Sequence, residues 1–261
     1  MTTALITGAS SGIGEAFARR LAAEGYDLVL VARSADKLEA LCNELSATAS
    51  IEARYYALDL SEVASDAKLF AETESLGVSV DLLINNAGFG SMGDFVDLPL
   101  DRELEMIDLN IRALVALTHR YLPGMRARRA GTVINVSSAA GFQPIPFMAT
   151  YAATKSFVTA FSESIAAENR PFGIQVLALC PGSTKTNFWE ASNIDRVTTA
   201  KGQETPEDVV DTAMRAIGGN RAKVVSGWTN YIAATAATFI PNSLITKALA
   251  KGLRGRYQKA K

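Results

Sequence analysis

The chain has 261 residues, 48% of them apolar and 20% charged, with 26 Lys and Arg against 27 Asp and Glu. This composition suits a core-forming globular protein, and a net charge of −1 offers no general pull toward nucleic acid or a membrane. A single histidine, His119, excludes any zinc site needing two and leaves a Ser-His-Asp triad only that residue. The two distant cysteines, Cys42 and Cys180, give neither a disulfide framework nor a CxxC motif and fit a cytoplasmic setting.

The N-terminus lacks the basic start and long apolar run of a secretory signal and turns glycine-rich at once. Apolar, β-rich runs then recur at Ala4–Thr7, Asp27–Val31, Ile51–Leu58, Leu82–Asn85, Thr132–Val136, Ile174–Leu179 and Lys223–Ser226. They are nearly continuous rather than alternating, as expected of strands covered on both faces. Between them lie helical patterns at Ile13–Glu24, Ala35–Ala47, Glu62–Leu76, Asp101–Arg129, Thr150–Arg170 and Pro206–Ile217, the fourth interrupted at Pro123. Ser34, Ser61 and Thr205 stand at N-cap positions, and Pro206 follows Thr205 with Glu207 and Asp208 in the first turn.

This alternation predicts an α/β fold: a doubly wound, Rossmann-type parallel sheet of about seven strands with helices on both faces. Residues 1–226 read as one dinucleotide-binding and catalytic domain, and 227–261 as a helical C-terminal extension packed on it. The uncharged stretches 131–154 and 224–246 contain too much Pro, Asn, Ser and Thr for a span of about 20 predominantly apolar residues.

The first predicted strand runs into Thr7-Gly8-Ala9-Ser10-Ser11-Gly12-Ile13-Gly14 at the start of a helix. Glycines let the backbone approach a pyrophosphate, and the helix end presents free N–H groups to it. The spacing is G-x3-G-x-G rather than G-x-G-x-x-G, and a structural turn is the alternative; position in the βαβ series favours nucleotide binding. The second strand ends at Arg33 with no acid nearby. An acid would meet a ribose 2′-OH and an arginine a 2′-phosphate, so NADP(H) is favoured over NAD(H), with a solvated loop arginine as the alternative.

Tyr151 and Lys155 share one helical face, and a lysine cation beside a phenol favours the phenolate. Ser137 and Ser138 follow a central strand at its carboxyl edge, where open α/β sheets bind ligands. With Asn85-Asn86-Ala87-Gly88, Asn110 and Pro181-Gly182…Thr186, the chain resembles a classical short-chain dehydrogenase/reductase over residues 4–226.

The resemblance implies Tyr151 as acid/base, Lys155 as its modulator and ribose ligand, Ser138 rather than Ser137 as substrate-orienting hydroxyl, and Asn110 as anchor of a relay water. It also implies a cofactor site of Gly8, Ser10, Ser11, Gly12, Ile13, Gly14, Arg33, Asp59, Leu60, Asn86, Ala87, Gly88, Tyr151, Lys155, Pro181, Gly182 and Thr186. No metal is expected. Ser138, Phe142, Gln143, Tyr151 and Phe188 are expected to meet substrate, Trp189 lies beside them, and segment 187–204 is expected to form a mobile lid.

The expected activity is hydride transfer between NADP(H) and a hydrophobic ketone, aldehyde or secondary alcohol. A nicotinamide-binding regulator or scaffold, or an epimerase or dehydratase on the same fold, is the alternative. The resemblance further implies a homodimer or homotetramer. Neither nucleic acid nor a membrane is an expected partner, although the Lys- and Arg-containing C-terminal segment keeps a peripheral membrane contact open. His119 is expected to be a packed or surface residue, and Cys180 a small core residue.

Overall fold

A computed structural model describes residues 2–186, 188 and 203–257, with side chains placed up to Arg254. Among the described residues seven strands are present: β1 (Thr3–Thr7), β2 (Asp27–Ala32), β3 (Ala53–Ala57), β4 (Val80–Asn85), β5 (Gly131–Val136), β6 (Ile174–Cys180) and β7 (Lys223–Val225). They form one parallel sheet in the order β3-β2-β1-β4-β5-β6-β7. The order reverses between β1 and β4, which opens a crevice at their carboxyl ends.

The helices are α1 (Gly12–Ala23), α2 (Ala35–Thr48), α3 (Ser65–Ser75), α4 (Leu100–Ile107), α5 (Leu114–Arg128), α6 (Ala149–Asn169), α7 (Pro206–Ala216), α8 (Trp228–Ala237) and α9 (Asn242–Tyr257).

Successive strand side chains point to opposite faces, and both faces are buried. Ile6, Leu28, Leu30, Leu82, Ile84, Leu177 and Leu179 pack with Phe17 and Leu21 of α1, Leu38 and Leu45 of α2, and Val209 of α7. Leu5, Val29, Val31, Leu83, Val133 and Val176 pack on the other side with Leu69 of α3, Leu117 and Met125 of α5, and Ile165 of α6. This double cover is why the strands read as continuous apolar runs. Each such side chain stabilises by roughly 1.5–3 kcal/mol relative to exposure.

Two helix boundaries differ from the sequence pattern. α3 starts at Ser65, not Glu62: Ser61 donates its N–H and hydroxyl to Asp59 Oδ1 at 2.9 and 2.6 Å, forming a turn instead of a cap. The fourth helical pattern continues through Pro123, whose missing donor would have met the carbonyl of the exposed His119. Its irregularity falls earlier, in a π-helical turn over Asp108–Ala113. At α7 the anticipated cap is present: Thr205 Oγ1 accepts from Asp208 N–H and Asp208 Oδ2 accepts from Thr205 N–H.

Leu83→Ala would empty a fully buried position in the central strand and is expected to cost about 2–5 kcal/mol. Val63→Ala, at a side chain 83% exposed, is expected to stay within about 0.5 kcal/mol. Urea denaturation midpoints of the two variants check the contrast.

Candidate active site

The crevice is a cavity of about 740 Å³ between the carboxyl ends of the strands, with α8 on its far side. Its wall begins at the glycine loop. Gly8 and Gly12 have φ of +66° and +58°, conformations that side chains disfavour. A Cβ on Gly14 would lie 2.2 Å from the Gly8 carbonyl oxygen, so glycine is what lets α1 close on the loop. The first N–H groups of α1 have no partner within the helix and the positive helix end faces the crevice, a cradle suited to a pyrophosphate.

Asn86 fixes this loop from the neighbouring strand end. Its side-chain amide donates to the Thr7 carbonyl at 2.9 Å and to the Gly8 carbonyl at 3.2 Å. The Thr7 hydroxyl in return accepts the N–H groups of Asn86 and Ala87. Thr186 packs within contact distance of Gly12 from the other side.

At one end of the cavity stands Arg33, exposed, with its guanidinium 3.6 Å from both Asp59 and Glu105. Partial burial raises the Asp59 pKa, but hydrogen bonds from Ser61 and the Arg33 charge outweigh it and hold the carboxyl below its ordinary value. Lys37 lines the same end one helical turn beyond Arg33. The sequence reading passed over it, although the four-residue spacing was visible.

At the other end, Tyr151 and Lys155 project from one face of α6 and are both buried. Lys155 Nζ lies 5.9 Å from the Tyr151 ring centroid and donates to the Val136 carbonyl at 2.9 Å. Burial pushes the Tyr151 phenol up to about 12, against a smaller opposing pull from a hydrogen bond with Ser138. Burial also brings Lys155 down to about 8. At neutral pH the phenol is neutral and the ammonium largely protonated.

The geometry separates the two serines. Ser137 Oγ is committed to the Lys155 carbonyl at 2.8 Å and to Thr159 Oγ1 at 2.7 Å. Ser138 accepts from Ala140 N–H at 3.1 Å and, like Tyr151, lines the cavity. Asn110, in the π-helical turn, donates to the Phe89 carbonyl and Thr154 Oγ1 and accepts the Phe89 N–H. Its side chain thus clamps the strand-end segment next to Gly88, where a Cβ would come 2.8 Å from Asn110 Oδ1.

Every residue anticipated for the site lines the cavity except Gly14, Asn110 and Phe142. Gly14 and Asn110 act behind the wall as described. The Phe142 ring instead lies 5.3 Å from Lys223 Nζ, because the turn Ala139–Phe142 faces β7 at that point.

Phe188 stands 5.4 Å from the Tyr151 ring, ring centre to ring centre, and Gly90 leaves the space for that contact. Gln143, Ile145, Met148, Ala233 and Ala234 complete a largely apolar wall. Asn230 and the two alanines come from α8 and were missed, since no local pattern tells that a C-terminal helix returns to the crevice. Asn230 fills the space left by Gly182 and donates to Glu204 and to the Ser226 carbonyl.

Of the anticipated lid, 187 and 189–202, including Trp189, lie outside the described residues. Cys180 is buried in β6, and burial pushes its thiol up to about 11. His119 is exposed, away from this chemistry.

The glycine cradle, the basic end and the polar trio fit a dinucleotide reaching from Arg33 to Lys155. Comparisons with known proteins agree. The short chain dehydrogenase family model matches residues 2–197. A very-long-chain 3-oxoacyl-CoA reductase of Macaca fascicularis is 34% identical, the match covering 86% of this chain and 73% of that protein. The structure of a short-chain dehydrogenase from Sphingobium yanoikuyae in complex with NADPH superposes with a TM-score of 0.80 at 33% identity, covering 91% of this chain and 93% of that one. A 7beta-hydroxysteroid dehydrogenase structure gives a TM-score of 0.86 at 28% identity, covering 95% and 96% of the two chains. With its fold, its glycine loop and its Ser-Tyr-Lys grouping accounted for, the chain belongs to the short-chain dehydrogenase/reductase family of oxidoreductases.

Proposed function

We propose that the protein reduces a hydrophobic ketone or aldehyde with NADPH, and runs the reverse oxidation of the corresponding secondary alcohol. The observation that carries this reading is the grouping of buried Tyr151 and Lys155 with Ser138 on the wall of one cavity, at an end also lined by Ile145, Met148, Ala233, Ala234 and Phe188. The bound nicotinamide supplies the hydride.

The chain's own residues handle the oxygen and the proton. Ser138 and Tyr151 both direct hydroxyls at a carbonyl oxygen placed between them. Tyr151, held protonated by its burial, gives its proton to the oxygen as alkoxide character develops. The Lys155 ammonium stabilises the phenolate left behind. Ile145, Met148, Ala233, Ala234 and Phe188 exclude water and favour an apolar substituent on the carbonyl carbon. Among the described residues no clustered arginine lines this end, which argues against a small phosphorylated or carboxylated substrate.

Arg33 and Lys37 at the opposite end support NADP(H) over NAD(H): two exposed cations can be drawn to a 2′-phosphate, while Asp59 is already occupied by Ser61 and Arg33. The NADPH-bound Sphingobium relative supports the same choice.

Tyr151→Phe is expected to lower kcat by about 10²- to 10⁴-fold while leaving NADPH affinity within a small factor, measured by stopped-flow reduction and by fluorescence titration. Near-normal turnover would remove the tyrosine from the mechanism. The pH profile of reduction should be flat near neutrality and fall above about 8, because the Lys155 ammonium is lost there while the phenol stays protonated to about 12. The double variant Arg33→Ala/Lys37→Ala is expected to raise KM for NADPH by about 10- to 100-fold with little change for NADH. An equal effect on both cofactors would refute the assignment of that end to the 2′-phosphate.

A further inference from the structure

The C-terminal helices carry a surface that the reaction does not use. On α8, Trp228, Tyr231 and Ile232 follow one another at i, i+3 and i+4 and all point outward, and Phe239 just beyond the helix end continues the line. Trp228 is 75% exposed and Phe239 83%. The opposite side of α8 is small and inward, with Ala234 and Ala237 buried and Asn230, Ala233 and Ala234 on the cavity wall.

α9 repeats the two-sidedness. Ile245, Leu249 and Leu253 are half-buried, while Leu244, Lys247, Ala248 and Lys251 are turned outward. Neither Lys247 nor Lys251 has an ion-pair partner among the described residues.

Charge distribution indicates the occupant. Residues 228–261 hold six basic residues (Lys247, Lys251, Arg254, Arg256, Lys259 and Lys261) and none of the chain's 27 acids. Outside this segment acids therefore predominate. A stripe of exposed aromatic and aliphatic side chains beside a purely cationic helix matches the interface of an anionic bilayer, where Trp and Tyr sit at headgroup depth and lysines meet lipid phosphates. Among the described residues no helix is long and apolar enough to cross a membrane, so the fitting mode is attachment in the interface plane.

We propose that the outer face of α8 and α9 docks the protein on an anionic lipid surface. Docking there leaves the inner face of α8 on the cavity, so one helix has the membrane on one side and the site on the other. The docking itself does not rest on the proposed reaction.

The test is cosedimentation of the full chain with phosphatidylcholine vesicles, with and without phosphatidylserine, at low and high salt and without substrate. Binding is expected on the phosphatidylserine vesicles, weaker on phosphatidylcholine alone and reduced at high salt. Lys247→Ala/Lys251→Ala is expected to weaken it by about 30-fold, from roughly fivefold per lysine at an anionic surface. Trp228→Ser/Tyr231→Ser/Phe239→Ser is expected to weaken it by about tenfold or more. NADPH affinity and thermal midpoint serve as folding controls, and if the triple variant fails them the lysine pair decides.

No binding to either vesicle at low salt would overturn the proposal, as would binding indifferent to the lysine pair. A fall in sedimentation mass in the folded triple variant, without vesicle binding by the parent, would overturn it in favour of an interface between copies of the chain.

Discussion

The site depends on how closely the carboxyl ends of β1 and β4 can approach. At that junction the backbone of Gly8 lies against the Asn86 side chain, and Gly14 lies against the Gly8 carbonyl, with no room for a Cβ at either glycine. The Asn86 amide and the Thr7 hydroxyl then tie the two strand ends together in both directions. A phosphate cradle built from backbone N–H groups needs this stiffness, because its donors are fixed only as well as the chain that carries them. Further along, Asn110 fixes Phe89 by both its N–H and its carbonyl and reaches Thr154 on α6. The glycine loop, the β4 end and the helix bearing Tyr151 are therefore one connected polar framework, set between two apolar layers.

Burial sets the chemistry within that framework. Taken out of water, a phenol rises and an ammonium falls, and both shifts favour the neutral form. Their unequal positions, about 12 and about 8, leave the tyrosine protonated and keep most of the lysine charged at neutral pH. A cation fixed beside a phenol that has yet to ionise acts most on the state in which negative charge appears. In the reaction proposed above this amounts to electrostatic preorganisation, with the cavity-lining Ser138 as the second hydroxyl offered to the carbonyl oxygen. Ser137, one residue away, has no such freedom because its hydroxyl is already engaged by α6.

The fold was legible in the sequence because period and position are local properties. All seven strands could be read, since helices on both faces make the inner strands nearly continuous apolar runs. The glycine loop, the tyrosine–lysine spacing and Ser138 were legible in the same way, as short motifs in a fixed order. The obscured features depended on distant partners. Asp59 takes the Ser61 hydroxyl, so a serine that looked like a cap starts no helix. Pro123 is tolerated inside α5, while the irregularity lies at the π-helical turn from which Asn110 reaches across to Phe89. Spacing alone cannot state how much water the tyrosine and the lysine lose on burial. Asn230, Ala233 and Ala234 reach the crevice only because Gly182 leaves space for Asn230, a contact spanning 48 positions of sequence.

The near-zero net charge is likewise a sum that conceals its parts. Acids predominate over most of the chain, and a C-terminal segment without a single acid offsets them. Averaged over the molecule, that balance argues against an anionic partner. Within a Debye length of about 8–10 Å, however, a surface responds to the charges facing it and not to the total. Exposed aromatic residues on α8 and, on α9, lysines without an ion-pair partner among the described residues follow one another in the chain, so apolar and cationic attractions can act together. A helix with an inner face of alanine and asparagine can close a cavity without filling it, and the large side chains it does carry are left for the outside. The asymmetry of α8 is thus a consequence of its place in the fold as much as a property of its sequence.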